Sequence, residues 1–234
     1  MHTISIFVDK NRMPKPASYF ECQTHLAKNL RNAANFIIRN LRTGLKKTPD
    51  TRTANENEVL ETVRIGIEMA NEKLLKDVDR LTKQLKNLPA NDPARTKIQK
   101  RIENKQKNHP SMPTSDHWML TYETLDAVMK NTKNPDYYAM PSQVNQQILR
   151  KVLKDWKSYF EALALYRQNP ERFKSQPKQP GYIKTPYTTV TFTNQVAKRS
   201  DIRGKMYITF PRCLVPVCVG KPEGSYVRTE VKPC

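Results

Sequence analysis

Residues 139 to 184, AMPSQVNQQILRKVLKDWKSYFEALALYRQNPERFKSQPKQPGYIK, constrain the fold more than any other stretch. Val144, Ile148, Val152, Trp156, Phe160 and Leu163 recur three or four residues apart, so they share one face of a helix. Gln143, Gln147, Arg150, Lys151, Lys154 and Lys157 fall on the rest of its surface. Pro141 suits a first helical turn, where a missing N–H costs nothing, and Pro170 drives Asn169 away from helical angles. A long amphipathic helix is therefore expected between these two prolines. Beyond it runs a strap in which Arg172, Lys174, Lys178 and Lys184 alternate with Phe173, Tyr182 and prolines. Such a segment is too stiff to collapse and too cationic to bury, which suits it to a phosphate backbone. Lys174, Lys178 and Lys184 are expected on phosphates, with Tyr182 either stacked on a base or sugar or packing the strap onto the protein, as Phe173 is expected to do.

The 234 residues suffice for one large or two small domains, and the formal charge of +19 makes a polyanion the natural partner. No apolar run approaches a membrane span, and no basic amphipathic helix has the Trp and Phe content of a lipid-surface binder. Nucleic acid is the better reading, with no membrane partner. The opening MHTISIFVDK lacks the features of a secretory signal, and Cys22, Cys213, Cys218 and Cys234 are too scattered for a disulfide framework. A cytoplasmic, nucleoid-associated chain with reduced thiols is expected. Neither these cysteines nor the four histidines show metal-ligand spacing, so no metal site is assigned.

In chain order, Thr3 to Val8 reads as a short strand broken by Met13-Pro14-Lys15-Pro16. From Cys22 to Leu41 the period turns helical, with Cys22, Leu26, Leu30, Ala33, Ile37 and Leu41 on one side. Lys28, Arg31, Asn32, Asn35 and Arg39 lie elsewhere on that helix; they form either a face that reads phosphates and base edges or a merely solvated one. A polar linker over 45–56 precedes a long helix marked by Leu60 through Leu85, and Asp92-Pro93 starts a second, weaker one. The pair is expected as an antiparallel arm at 57–107, following a nucleic-acid duplex or, alternatively, serving as a partner-binding coiled coil. A further helix is expected around Trp118 to Lys130, with NPDYYAMP leading into the long helix. After Tyr187 the character becomes strand-like in TPYTTVTFTNQ, MYITFP and LVPVCVG, with the segment Ser200 to Gly204 as a hairpin turn. The fold class is therefore α+β.

The run MPSQVNQQILRKVLKDWKSYFEAL, then NPERFKSQPKQPGYIK, then TFTNQ resembles the TnpB family of insertion-sequence-encoded, RNA-guided DNA nucleases related to type V CRISPR effectors. The likeness is specific from about Leu120 to Pro211 and looser before that. It implies a helical recognition domain (17–170) inserted in a β-barrel-like wedge domain. The wedge would comprise a first strand in 1–16, then the basic strap and remaining strands over 171–234. It further implies guide RNA and target double-stranded DNA as partners. Family members read a short flanking DNA motif with polar side chains; the matching positions here are Gln143, Asn145, Gln147, Thr193, Asn194 and Gln195. Asn and Gln can present a donor and an acceptor together to adenine, and Thr a methyl contact to thymine; the alternatives are an Asx-turn at Asn194 and, for Gln143, a backbone bond near the helix start. Lys28, Arg31, Arg39, Arg150 and Lys154 complete the expected nucleic-acid-binding set.

No catalytic residue is assigned. Cleaving a phosphodiester with metal needs several carboxylates converging on an ion, and the aspartates here sit mostly on helix faces or at caps. The RuvC-like nuclease domain that the resemblance implies, with its Mg²⁺, lies outside this sequence and is a further potential partner. A truncated gene product, a designed piece and part of a longer protein are open alternatives. So are a nuclease-free RNA or DNA binder and a coiled-coil interaction protein.

Overall fold

The computed structural model describes residues 8, 11–89, 91–107, 109–117, 119–220 and 229–231. Six α-helices precede five short strands: α1 (Pro14–Leu45), α2 (Ala54–Asn87), α3 (Ala94–Lys107), α4 (Tyr122–Asn131), α5 (Pro135–Ala139) and α6 (Ser142–Gln168), then β1 (Val190–Phe192), β2 (Lys198–Ile202), β3 (Lys205–Thr209), β4 (Val217–Gly220) and β5 (Thr229–Val231). The fold is α+β. β1 pairs antiparallel with β5, and β2, β3 and β4 form a separate antiparallel sheet in that order. Neither sheet closes into a barrel among the described residues. The strand expected at residues 3 to 8 lies outside them, except for Val8, which is not in a strand.

The chain divides into two compact units after Asn35, within α1. One holds residues up to 35 with those from 134 onward; the other is Phe36–Lys133. The helices expected to make one domain over 17–170 are thus shared between the two units.

In the second unit, α2 begins on a capping box. The Thr53 hydroxyl accepts the Glu56 N–H, and the Glu56 carboxylate accepts the Thr53 N–H at 2.8 Å. The same carboxylate, in a residue only 4% exposed, accepts two bonds from Lys47 Nζ at 2.7 and 2.9 Å. α2 then packs on α4. A Cβ added to Gly66 would sit 2.5 Å from Val128 Cγ2 and 3.4 Å from the Thr124 carbonyl oxygen, so glycine permits the close approach. The arm is antiparallel as expected. Arg95 donates to the Leu85 and Leu88 carbonyls, both at 2.8 Å, and Lys105 pairs with Asp77 at 3.0 Å. The Asp92 carboxylate accepts the Ala94 N–H at 2.7 Å, as its capping role requires. The helix expected from Trp118 starts later, because Thr121 is its N-cap: its hydroxyl accepts the Thr124 N–H.

In the first unit, Phe20 of α1 meets Phe210 edge-on with ring centres 4.9 Å apart, and Phe210 meets Phe192 of β1 at 5.0 Å. This aromatic cluster is the core under the strands. Beside it the Tyr19 hydroxyl donates to the Pro211 carbonyl at 2.8 Å, and burial pushes its pKa far above the ordinary tyrosine value. Met13 to Pro16 lead into and begin α1, and Cys22, expected on the apolar side, is exposed. The hairpin turn is shorter than Ser200 to Gly204: Lys198–Ile202 is strand, and Arg203 and Gly204 alone turn the chain with φ of 49° and 70°. Two positive φ values in a two-residue loop match the right-handed twist of the flanking strands. NPDYYAMP contains α5, capped by Asn134, whose side chain accepts the Tyr137 N–H at 2.9 Å.

Hydrogen bonds from Lys47 and then from the Thr53 N–H hold the Glu56 carboxyl down at about 2. A folded-state value below the unfolded one stabilises fully above the unfolded pKa near 4.5, and the gain disappears as pH falls through about 2. Glu56→Gln should lower the melting temperature at neutral pH and flatten the loss of stability between about pH 5 and pH 2. Thermal unfolding followed by circular dichroism checks this; parallel pH profiles for both proteins would refute it.

Candidate nucleic-acid interface

The strap has almost no regular structure of its own, so its backbone polar groups must find partners elsewhere. Helix α1 supplies them. Asn35 Nδ2 donates to the Gly181 carbonyl at 3.1 Å. Asn32 forms a closed amide pair with Ile183, donating to its carbonyl at 3.0 Å and accepting its N–H at 2.8 Å. Further along, a His25 ring nitrogen lies 3.1 Å from the Pro186 carbonyl oxygen, and the Thr188 N–H reaches the Thr24 carbonyl at 3.2 Å. The Tyr187 hydroxyl donates to Glu21 at 2.8 Å. The strap therefore runs antiparallel along α1, from Asn35 back to Glu21.

Asn35 also joins this clamp to α6. It is 1% exposed, and its Oδ1 accepts the indole N–H of the fully buried Trp156 at 2.9 Å. One residue earlier on α6, Asp155 receives Arg31 Nη2 at 2.6 Å. α1, α6 and the strap thus meet at one buried amide.

This changes the reading of the α1 face. Asn32 and Asn35 bond the protein's own strap, and Arg31 is engaged with Asp155. Of the residues expected to contact nucleic acid there, Lys28 is half-buried with no acidic partner among the described residues, and Arg39, also half-exposed, lies in the other unit. The strap itself keeps the expected display. Lys174, Lys178 and Lys184 are exposed and without an ion-pair or hydrogen-bond partner among the described residues. Tyr182, 45% exposed, stands between the two clamped residues Gly181 and Ile183. Phe173 meets Tyr166 edge-on at 5.7 Å, as its packing role requires.

On α6, Gln147, Arg150, Lys151, Lys154 and Lys157 are all exposed along one side. Asn145 is not among them: it is 2% exposed and donates to the Tyr137 carbonyl at 2.7 Å, so it cannot meet a ligand without unfolding that turn. At the start of α6, Gln143 binds the turn after β1. Its Oε1 accepts from Thr193 at 2.7 Å, and its Nε2 donates to Gln195. The turn is closed by the Val196 and Ala197 N–H groups on the Thr193 carbonyl. Thr193 and Gln195 are thereby occupied, and Asn194 between them is exposed with no side-chain partner among the described residues.

Among the described residues no group of three or more His, Cys, Asp or Glu side chains could hold a metal, and no helix is long and apolar enough to cross a membrane. Comparison with protein-family models, with curated protein sequences and with solved structures finds no match.

Sequence reasoning missed the strap clamp. Its available signal was Asn32 and Asn35 at helical spacing opposite an apolar face, together with a strap rich in unpaired carbonyls. Truncating Asn35 to Ala removes the acceptor of the buried Trp156 N–H, costing about 1–3 kcal/mol, while the carbonyl of the exposed Gly181 turns to solvent at little cost. Asn35→Ala should therefore lose roughly 1–3 kcal/mol in urea unfolding. Asn32→Ala should lose less but accelerate hydrogen exchange at the Ile183 amide; unchanged exchange there would mean that the clamp does not form in solution.

Proposed function

We propose that this chain is the nucleic-acid-binding lobe of a TnpB-like RNA-guided DNA nuclease. In this reading residues 17–170 belong to a recognition domain, and the strap and strands over 171–234 to a wedge domain. The observation that carries it is the strap: its backbone is held to α1 while Lys174, Lys178, Lys184 and Tyr182 stay exposed. Phosphate contacts from lysines with a base stacked on tyrosine is a chemistry suited to single-stranded RNA. Guide RNA is the partner assigned to this face. The resemblance of TFTNQ and of the α6 sequence to the family supports target DNA as the second partner, with Asn194 and Gln147 as the base-reading residues. Gln143 fixes the turn that presents Asn194, a positioning role. Cleavage, with its Mg²⁺, is assigned to the RuvC-like domain of the family and not to these residues.

One feature of the arm weighs against the coiled-coil alternative. The apolar side of α2 is engaged by α3 and α4 of the same chain, with Val59, Val63, Ile67, Ala70 and Leu81 buried. A partner helix has no continuous seam left to occupy.

Replacing Lys174, Lys178 and Lys184 by Ala should weaken binding to unrelated RNAs alike. In a salt titration, the slope of log K against log salt should flatten by up to about 2, three contacts at about 0.7 each. An unchanged slope would place the strap away from RNA.

Asn194 gives a separate check, because its side chain is exposed and has no hydrogen-bond partner among the described residues. Once a preferred flanking DNA motif is selected from a random library, Asn194→Ala should cost about 1–3 kcal/mol on that motif and much less on a scrambled one. Equal losses on both, or a lowered melting temperature, would make Asn194 structural.

A further inference from the structure

The outer face of α2 carries a second cluster of cations, in the unit that does not contain the strap. At 100° per residue Lys73, Lys76, Arg80, Lys83 and Asn87 fall within a sector of about 80°, with Gln84 beside it. All six are exposed. The half-buried and buried Leu74, Val78, Leu81 and Leu85 lie on the opposite side, toward α3. Lys73, Lys76 and Lys83 have no ion-pair partner among the described residues, and Arg80 makes only a 3.4 Å contact with Asp77, which Lys105 holds more closely. Glu72 and Asp79 border the sector without an ion pair there. The far half of this face, from Lys76 to Asn87, lines a shallow recess with Asp79 at its rim.

We infer that this stripe binds the sugar-phosphate backbone of a DNA duplex, independently of guide and sequence. From Lys73 to Lys83 the helix rises about 15 Å, at 1.5 Å per residue. That length faces about four phosphates of one strand at roughly 3.4 Å of axis each. Four cations fixed on a helix match a regular rod of phosphates. Nothing in the sector can stack on an unpaired base: it contains no aromatic residue, unlike the strap, where Tyr182 provides that surface. The stripe therefore favours a duplex over a single strand. It rests on the reading of the chain as a nucleic-acid binder, but on neither the strap nor α6.

The test uses the full chain with a blunt 30-base-pair DNA of random sequence and an unstructured 30-nucleotide RNA. Combining Lys73→Ala, Lys76→Ala, Arg80→Ala and Lys83→Ala should weaken duplex binding about tenfold or more at low salt and flatten its salt slope by up to about 3.6. RNA binding should stay within about twofold. Asp79→Asn, which removes the bordering negative charge, should tighten duplex binding and carries the test if the quadruple variant folds poorly. Unchanged duplex affinity in both variants would overturn the inference, as would equal losses on duplex and RNA. A chain that binds the RNA but no duplex at any salt would also overturn it while leaving the proposed function standing. A chain that binds neither would remove both.

Discussion

The buried amide of Asn35 is the interaction on which the first unit depends. It accepts from Trp156 and donates to Gly181, so one side chain satisfies an indole N–H on α6 and a carbonyl of the strap. The indole has no easy substitute. The Trp156 side chain is fully buried, where an unpaired N–H is costly, and the strap offers no ladder to take up its own carbonyls. The apolar packing of α6 through Val144, Ile148, Leu149 and Val152 makes the helix, but it does not decide where the irregular strap that follows goes. Two asparagines a helical turn apart do.

The large positive charge is tolerated because it is sorted. Some cations are used internally: Arg31 on Asp155, Lys47 on Glu56, Lys130 on Asp126, and Arg95 on carbonyls at the end of α2, where the helix dipole favours a cation. Rows of exposed cations stand on the strap, the open side of α6 and the outer side of α2. A compact body repels itself least when its surplus charge stands in high-dielectric solvent, and it attracts polyanions most when that charge is in rows. The same sorting satisfies both demands.

What could be read from the sequence follows the range of the interactions involved. α6 was legible because its apolar residues repeat at helical spacing and prolines mark its limits; the structure places it at Ser142–Gln168. The Asp92-Pro93 start of α3 was legible because capping is a contact between near neighbours. The path of the strap was not, since Asn32 and Ile183 are 151 residues apart and nothing local encodes their pairing. The asparagines on α1 were visible as a polar face, yet a polar face facing one's own backbone looks the same in sequence as one facing a ligand. Asn145 misled in a similar way. It belongs to a run of amides at the start of α6, but the rotation of the helix buries it against the Tyr137 carbonyl while leaving Gln147 outside. The Ser200-to-Gly204 turn was overestimated because polar residues on an exposed edge strand resemble loop composition; only Arg203 and Gly204 have the positive φ that a turn requires.

The clamp also bears on how strongly a strap of this kind can bind. A free proline-rich segment gains some stiffness from its restricted φ values, but each side chain and each non-proline peptide still loses freedom when a ligand fixes it. Here the backbone on both sides of Tyr182 is already held by α1, so that part of the ordering cost is met in folding rather than in association. The clamps use only the main chain of Gly181 and Ile183. The side chains of Tyr182 and Lys184, between and beyond them, are exposed. Replacing Lys184 would change the exposed surface while the two clamps remain, whereas replacing Asn32 or Asn35 would loosen the strap while leaving Lys184 in place. The exposed groups and the groups that hold the strap are thus different residues, and the division exists because an asparagine side chain can stand in for a peptide group.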